Sequence, residues 1–250
     1  MNMRSWLSLS SVLAICAIFI EGSLHRHVHV SRVVSDIGSC WGVWVTPSLL
    51  MTTAHCVSGA SRVTVSNEEG LFFGVNRVIV HNHYDAKSLK NDIAALSTMV
   101  LNGSLRNEKM TFSHVTSEIL IHKNDTSERL SLVSCTETDF DFDFCASHHG
   151  CHESLMCDKN CKGDSGLPVL TENGEVVGLV SGGPEKCERN AVPGGYVSLY
   201  EHKQFIIRSI ELQSSDRRAA SDIETRALSG AEKNTCFVCI TLVLLTLLCL

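Results

Sequence analysis

The stretch Cys161-Lys162-Gly163-Asp164-Ser165-Gly166-Leu167-Pro168-Val169 decides how the rest of this chain is read. A serine sits between two glycines and follows an aspartate. Glycine on each side lets the backbone turn sharply and lets another chain approach closely. Such a turn can present the serine hydroxyl with its own backbone N–H aimed at the same point. An acyl-transfer nucleophile and its oxyanion hole need that geometry. Gly-Asp-Ser-Gly by itself could also be an ordinary turn.

Two other stretches change the odds. Thr52-Thr53-Ala54-His55-Cys56 supplies a histidine, and Asn91-Asp92-Ile93-Ala94-Ala95-Leu96 supplies an aspartate at the mouth of an apolar run. A carboxylate there would be largely buried, and an unpaired buried charge is costly. A histidine donating through Nδ1 would resolve that cost, and the aspartate would in turn hold the ring. A turn or helix cap is the other reading of Asp92. The chain order His55, Asp92, Ser165 is one of the known orders of a nucleophilic triad.

Together these blocks resemble the chymotrypsin/trypsin-like serine proteases, from about Gly38 to about Ile207. The resemblance implies an all-β fold of two six-stranded antiparallel barrels with a closing C-terminal helix, over residues 23–212. It implies that Ser165 is the nucleophile, His55 the base, Asp92 the orienting acid, and the N–H groups of Gly163 and Ser165 the oxyanion hole. It implies a bridge between Cys40 and Cys56 beside the histidine, and one between Cys161 and Cys187 across the specificity pocket. Ser181-Gly182-Gly183 would be the wall that takes substrate backbone as an added strand. Gly183 and Gly194 would keep the pocket mouth open. Lys159 would lie at the pocket floor, where it would repel Lys and Arg and attract Asp or Glu. Two residues depart from the family pattern. Gly182 stands where the family has an aromatic wall residue, and Leu167 where it has a second glycine.

The family's activation cleavage leaves a new apolar N-terminus that pairs with the aspartate before the nucleophile, here Asp164. Arg32-Val33-Val34-Ser35 faintly fits that pattern. The stretch from Val33 to Cys40 is too short for the match, and Val30 to Val34 reads as a strand. The usual activation switch would then be missing.

The chain has 250 residues, 44% of them hydrophobic, so it can bury a sizeable core. Its formal net charge of −6 gives nucleic acid no electrostatic footprint. Of 12 cysteines, eight lie away from the chain ends: Cys40, Cys56, Cys135, Cys145, Cys151, Cys157, Cys161 and Cys187. An even number in an exported chain reads as disulfides. Cys135 with Cys145 and Cys151 with Cys157 are candidate pairs, and sequence alone leaves the connectivity open. The export signal is residues 1–22: Arg4, then an apolar run from Leu7 to Ile20, then small residues near Gly22.

Further along, His25, His27 and His29 alternate on one face, a polar strand face or a three-imidazole metal site. Strands are expected at Trp41–Val45, Leu49–Thr53, Arg62–Ser66 and Val75–Val80. They are also expected at Ser131–Cys135, Phe142–Ala146, Gly178–Val180 and Tyr196–Ser198. Asp139, Asp141 and Asp143 would lie opposite Phe140, Phe142 and Phe144, as a solvated strand face or a calcium site. His148, His149, His152 and the nearby cysteines match no closed zinc spacing, and a disulfide loop is preferred. No metal or other cofactor is expected. Asn102 and Asn124 are glycosylation acceptors.

Glu201 to Leu212 reads as an amphipathic helix with Phe205, Ile206 and Ile210 inward. Residues 213–235 form a polar stalk. The tail 236–250 is apolar to its last residue but short of the roughly 20 residues a spanning helix needs. With the small residues 229–231 ahead of it, it reads as a GPI-anchor signal, with a short transmembrane anchor as the alternative. The expected partners are a protein or peptide substrate and, through the anchor, a membrane at the outer cell surface. A secreted or single-pass form is the alternative. The other functional class is a catalytically inactive homologue that binds a partner. The intact triad favours the enzyme; the absent activation terminus and altered pocket favour the homologue.

Overall fold

The computed structural model describes residues 30–66, 70–98, 110–123, 126–147, 164–182, 193–216, 218–219 and 221. The expected export signal, His25, His27, His29, Asn102, Asn124, Cys151, Cys157, Lys159, Cys161, Gly163, Gly183, Cys187 and the anchor tail lie outside the described residues.

Among the described residues, twelve strands form two closed, six-stranded antiparallel barrels, as expected. The first contains β1 (Val30–Ser35), β2 (Gly38–Thr46), β3 (Leu49–Thr52), β4 (Val63–Ser66), β5 (Phe72–Val80) and β6 (Ala94–Thr98). Its order is β1-β2-β3-β6-β5-β4, and the β1–β4 pairing closes it. The second contains β7 (Glu118–Lys123), β8 (Thr126–Val133), β9 (Phe144–Ser147), β10 (Pro168–Leu170), β11 (Val176–Gly182) and β12 (Gly194–Ser198). Its order is β10-β11-β12-β9-β8-β7, closed by β10 against β7. Closure pairs every strand on both sides over at least part of its length, so only strand ends beyond those pairings stay open to another chain.

The first core gathers around Trp44, Leu50, Leu96 and Phe73. Trp44 is fully buried and packs edge-on to Phe73 with centroids 5.6 Å apart. Its indole N–H needs an acceptor once buried and donates to Ser31 Oγ at 2.8 Å. The second core gathers around Ile119, Leu130, Val169, Val180 and Tyr196. Val30 and Trp41 of the first barrel pack against this second core, so apolar contacts hold the two barrels together. Burying each large apolar side chain stabilises the fold by about 1.5–3 kcal/mol.

Two of the expected strands differ. The span expected at Ser131–Cys135 is the end of a longer β8, and Cys135–Glu137 is instead a 3₁₀ turn. Ser134 caps it, accepting from the Thr136 N–H, and Cys135 is bridged to Cys145. The Asp/Phe alternation over 139–143 is not a strand; β9 begins only at Phe144. The segment is pinned from both sides: Asp141 N–H donates to Ser88 O at 2.7 Å and Asp143 N–H to Tyr196 O at 3.2 Å. Its aspartates take separate partners. Asp141 pairs with Lys90 at 3.0 Å, and Asp143 accepts from Ser198 N–H at 2.7 Å. The calcium reading has no converging ligand set among the described residues.

Residues Lys203 onward form a second compact unit. Its helix α1 covers 203–216, four residues further than the periodicity suggested. Ile206, Ser209 and Gln213 are buried on one side, while Phe205 and Ile210 are half-buried. Ser209 and Ser214 hydroxyls donate to the carbonyls four residues back, which satisfies them within the helix. Among the described residues no helix is long and apolar enough to cross a membrane.

Candidate active site

His55 sits in a single 3₁₀ turn, Ala54–Cys56, directly after β3. The turn is anchored by three local contacts. Cys56 is bridged to Cys40 of β2. Thr53 Oγ1 donates to Cys56 Sγ at 2.9 Å, and Thr52 Oγ1 donates to Trp41 O at 2.7 Å. Closing a loop of this length contributes about 3 kcal/mol in the chain-entropy account. The His55 side chain is 28% exposed, so one side of the ring faces solvent.

Asp92 lies two residues before β6 and is fully buried. Its approach is unusual: Leu89 and Asn91 both have positive φ, 57° and 53°. A non-glycine residue there costs about 1–2 kcal/mol, and local bonds hold the conformation. Asp85 N–H donates to Lys90 O at 3.0 Å, and Asn91 Nδ2 donates to His83 O at 2.8 Å. The carboxylate accepts three donors. His55 Nδ1–H donates to Oδ2 at 2.7 Å, His55 N–H to Oδ1 at 2.8 Å, and Ser181 Oγ–H to Oδ2 at 2.5 Å. These charge-assisted bonds offset the desolvation of a fully buried carboxylate. Burial, and then the negative charge of Asp92, pushes the Tyr84 phenol up to about 12, so Tyr84 stays neutral beside the site.

With Nδ1 donating to Asp92, the other ring nitrogen of neutral His55 carries a lone pair. Nε2 lies 3.4 Å from Cys56 Sγ. Cys40, His55 and Cys56 cluster closely, but both sulfurs are spent in the disulfide, so the cluster offers no thiolate to a metal.

Ser165 lies at the barrel junction. Its carbonyl accepts from Trp41 N–H at 2.8 Å. Gly166 follows with φ +85°, and its N–H donates to Val180 O at 2.7 Å. The Ser165 hydroxyl is directed to Ser181 O at 3.4 Å, and no hydrogen bond joins it to His55. Leu167 fills the second core, nearly fully buried. Gly194 is buried in β12.

Ser181 is the residue this geometry promotes. β11 pairs Val180 with Tyr196 and Gly182 with Gly195, so Ser181 is the extra residue of a bulge. A bulge re-aims its side chain, here onto Asp92, while the Ser181 carbonyl faces Ser165. The family resemblance implies for Ser181 a substrate-wall role only. A bond to a residue 89 positions away leaves no local signal.

A family model described as Trypsin matches residues 23–206. The chain belongs to the trypsin family. It is 27% identical to Trypsin Blo t 3 of Blomia tropicalis over 67% of this chain and 75% of the relative. It is 24% identical to human Kallikrein-15 over 67% and 80%. Identity to a Phenoloxidase-activating enzyme of Bombyx mori reaches 47%, but over only 21% of this chain and 12% of that protein. Membership in the trypsin family implies protein or peptide substrates.

The trypsin fold here also carries a histidine cluster. His81 N–H donates to Ile93 O beside Asp92. Its ring lies edge-on to His202 with centroids 5.2 Å apart, and 6.0 Å from His83. His202 is buried and bonded through Nε2 to Asp143 at 3.0 Å. Burial, and then the charges of His202 and His83, hold His81 below its ordinary value of 6.5; Asp143 opposes them. Unfolded His81 takes up a proton near pH 6.5, and the folded chain resists it until lower pH. Stability is therefore unaffected by this group above pH 6.5 and falls as the pH drops from there toward the folded pKa. Urea midpoints at pH 7.5 and pH 5.5 should differ less for His81→Gln than for wild type. An unchanged difference would exclude His81 as the source.

Proposed function

We propose that this chain is a serine endopeptidase that works through His55, Asp92 and Ser165. The fully buried Asp92, with two of its three donors on His55, carries this reading. It fixes the tautomer that leaves Nε2 free to accept a proton. In the reaction, the Ser165 hydroxyl leaves Ser181 O and turns to His55 Nε2, a rotamer change. Oγ bonds to the peptide carbonyl carbon while its proton passes to Nε2. The N–H groups of Gly163 and Ser165 hold the oxyanion. Collapse breaks the C–N bond, His55 returns the proton to the leaving amine, and water then hydrolyses the acyl-enzyme by the same route. Lys159 would favour an acidic residue at the cleaved position, and arginine preference in a peptide library would overturn that.

Cleavage between Arg32 and Val33 cannot be the activating step in this reading. The bond lies inside β1, paired on both sides, and Val33 is part of the first core. The export signal, the glycans on Asn102 and Asn124, and a GPI anchor near 229–231 would place the enzyme on the outer cell surface. Release from intact cells by phosphatidylinositol-specific phospholipase C tests the anchor; retention favours the transmembrane alternative. The second reading, an inactive partner-binding homologue, draws on the Ser165 hydroxyl facing Ser181 O and on the missing activation terminus.

The deciding experiment labels the full chain, expressed through a secretory pathway, with a fluorophosphonate probe. Labelling that disappears in Ser165→Ala supports the peptidase. Absence of labelling in folded protein, before and after limited proteolysis, supports the homologue.

A further inference from the structure

Gly182 lacks the wall side chain that the family carries, yet the space is not empty. A Cβ built on Gly182 would lie 2.7 Å from Phe142 Cζ, 3.1 Å from Phe142 Cε1 and 3.8 Å from Leu89 Cδ1. A Cβ on Gly195 would run into Cγ, Cδ2 and Cε2 of the same ring. Gly182 and Gly195 are direct cross-strand partners in β11 and β12. The Phe142 ring therefore lies across a glycine pair that only the absence of two side chains makes flat.

The ring is held there. The residues on either side of Phe142 are tied to two different segments, Asp141 N–H to Ser88 O and Asp143 N–H to Tyr196 O. Lys90 and Asp141 add an ion pair across the first of these ties. Leu89 is presented to the same spot by its positive φ, and strain of that kind concentrates at functional sites. Phe140 stands beside Phe142 with ring centroids 5.6 Å apart and is 45% exposed. Three apolar side chains from two separate segments thus form a half-open shelf.

The shelf borders the place where a peptide would lie. β11 runs beyond its pairing with β10, which ends at Pro168 opposite Leu179. Ser181 and Gly182 thus lack a β10 partner, and a peptide can add alongside them as a strand. Side chains of an added strand alternate between its two faces. With the cleaved carbonyl at Ser165, one alternate set of upstream side chains would point to the Phe142 side of β11.

We propose that Phe142 is the aromatic specificity plate of this enzyme, replacing the missing side chain at Gly182. It selects peptides with an apolar or aromatic residue upstream of the cleaved bond. The substrate class deepens the peptidase reading and rests on it for cleavage, but peptide selection can be measured without catalysis.

The test uses the full chain carrying Ser165→Ala to select phage-displayed random hexapeptides. Strong enrichment of Phe, Leu, Ile or Val at one position is expected. Adding Phe142→Ala should lower that enrichment about tenfold, and Phe142→Leu, which keeps most of the volume, by a smaller factor. Gly182→Trp should abolish enrichment alone, because Phe142 occupies its space, and recover it when combined with Phe142→Ala. Enrichment that survives both Phe142 variants, or no enrichment at all, overturns the proposal. Apolar enrichment in a chain whose Ser165 form takes no fluorophosphonate sinks the peptidase reading and leaves the plate standing. Labelling with Phe142-independent enrichment does the reverse.

Discussion

Asp92→Asn should lower peptide hydrolysis and fluorophosphonate labelling by about four orders of magnitude while leaving the fold intact. The reason lies in the three bonds the carboxylate accepts. An asparagine has one accepting oxygen and one donating NH₂, so one side of the site must change. If the oxygen takes the Oδ2 position, the NH₂ meets the backbone N–H of His55, which has no means of accepting. Two donors then face each other at a buried site, a loss of about 1–3 kcal/mol.

If the oxygen takes the Oδ1 position, the conflict can be relieved. The His55 N–H keeps its acceptor, the Ser181 hydroxyl rotates, and the imidazole moves its proton from Nδ1 to Nε2. The NH₂ then donates to the imidazole Nδ1 and to the Ser181 hydroxyl oxygen, and no two donors face each other. Nε2, however, now carries a proton and cannot take one from Ser165. Stability pulls the variant toward the tautomer that is useless for catalysis. Denaturant midpoints close to wild type, together with the rate loss, would support this account. A loss under tenfold would mean that Asp92 only anchors the His55 turn. Unfolding of the variant would mean that its charge is needed for the structure itself.

Where chemistry confines residue types to one local pattern, the chain was legible. The His55-Cys56 and Asn91-Asp92 neighbourhoods are short, and each says what its residue needs: a stapled turn and a buried acceptor. The structure joins the two at 2.7 Å. The barrels were legible because the strands alternate and the turns are marked, as at Pro47-Ser48 between β2 and β3. The 138–143 segment was misread because its alternation is genuine but its backbone partners are elsewhere. Ser88 and Tyr196, about 50 residues away on either side, claim its N–H groups and override the local preference. Ser181 and Phe142 failed for a related reason. The bulge that aims Ser181 exists only once β11 and β12 are paired. Likewise, Gly182 reads in sequence only as a departure from the family's aromatic wall residue, because nothing in the sequence places residue 142 above residues 182 and 195.

Gly166→Ala should be the most damaging single methyl in the described chain, costing about 4 kcal/mol. Gly166 has φ +85°, a region that costs an L residue about 1–2 kcal/mol. The larger part is steric. A Cβ here would overlap the Trp41 carbonyl oxygen, lie 2.7 Å from the carbonyl carbon and 3.0 Å from Thr52 Oγ1. Overpacking of about 1–3 kcal/mol is usual even where side chains can move aside, and here the obstacle is backbone. Trp41 has no room to yield. Its N–H is bonded to Ser165 O and its carbonyl takes the Thr52 hydroxyl. Its ring packs into the second core, and the next residue back, Cys40, is bridged to Cys56. Any shift of Trp41 therefore passes along the disulfide to the turn that carries His55, and along the Ser165 bond to the nucleophile. The variant should lose labelling out of proportion to the fraction unfolded. Thermal melts and labelling rates of the same samples would show this. A melt within two degrees of wild type would mean that the junction between the barrels is softer than its hydrogen bonds indicate.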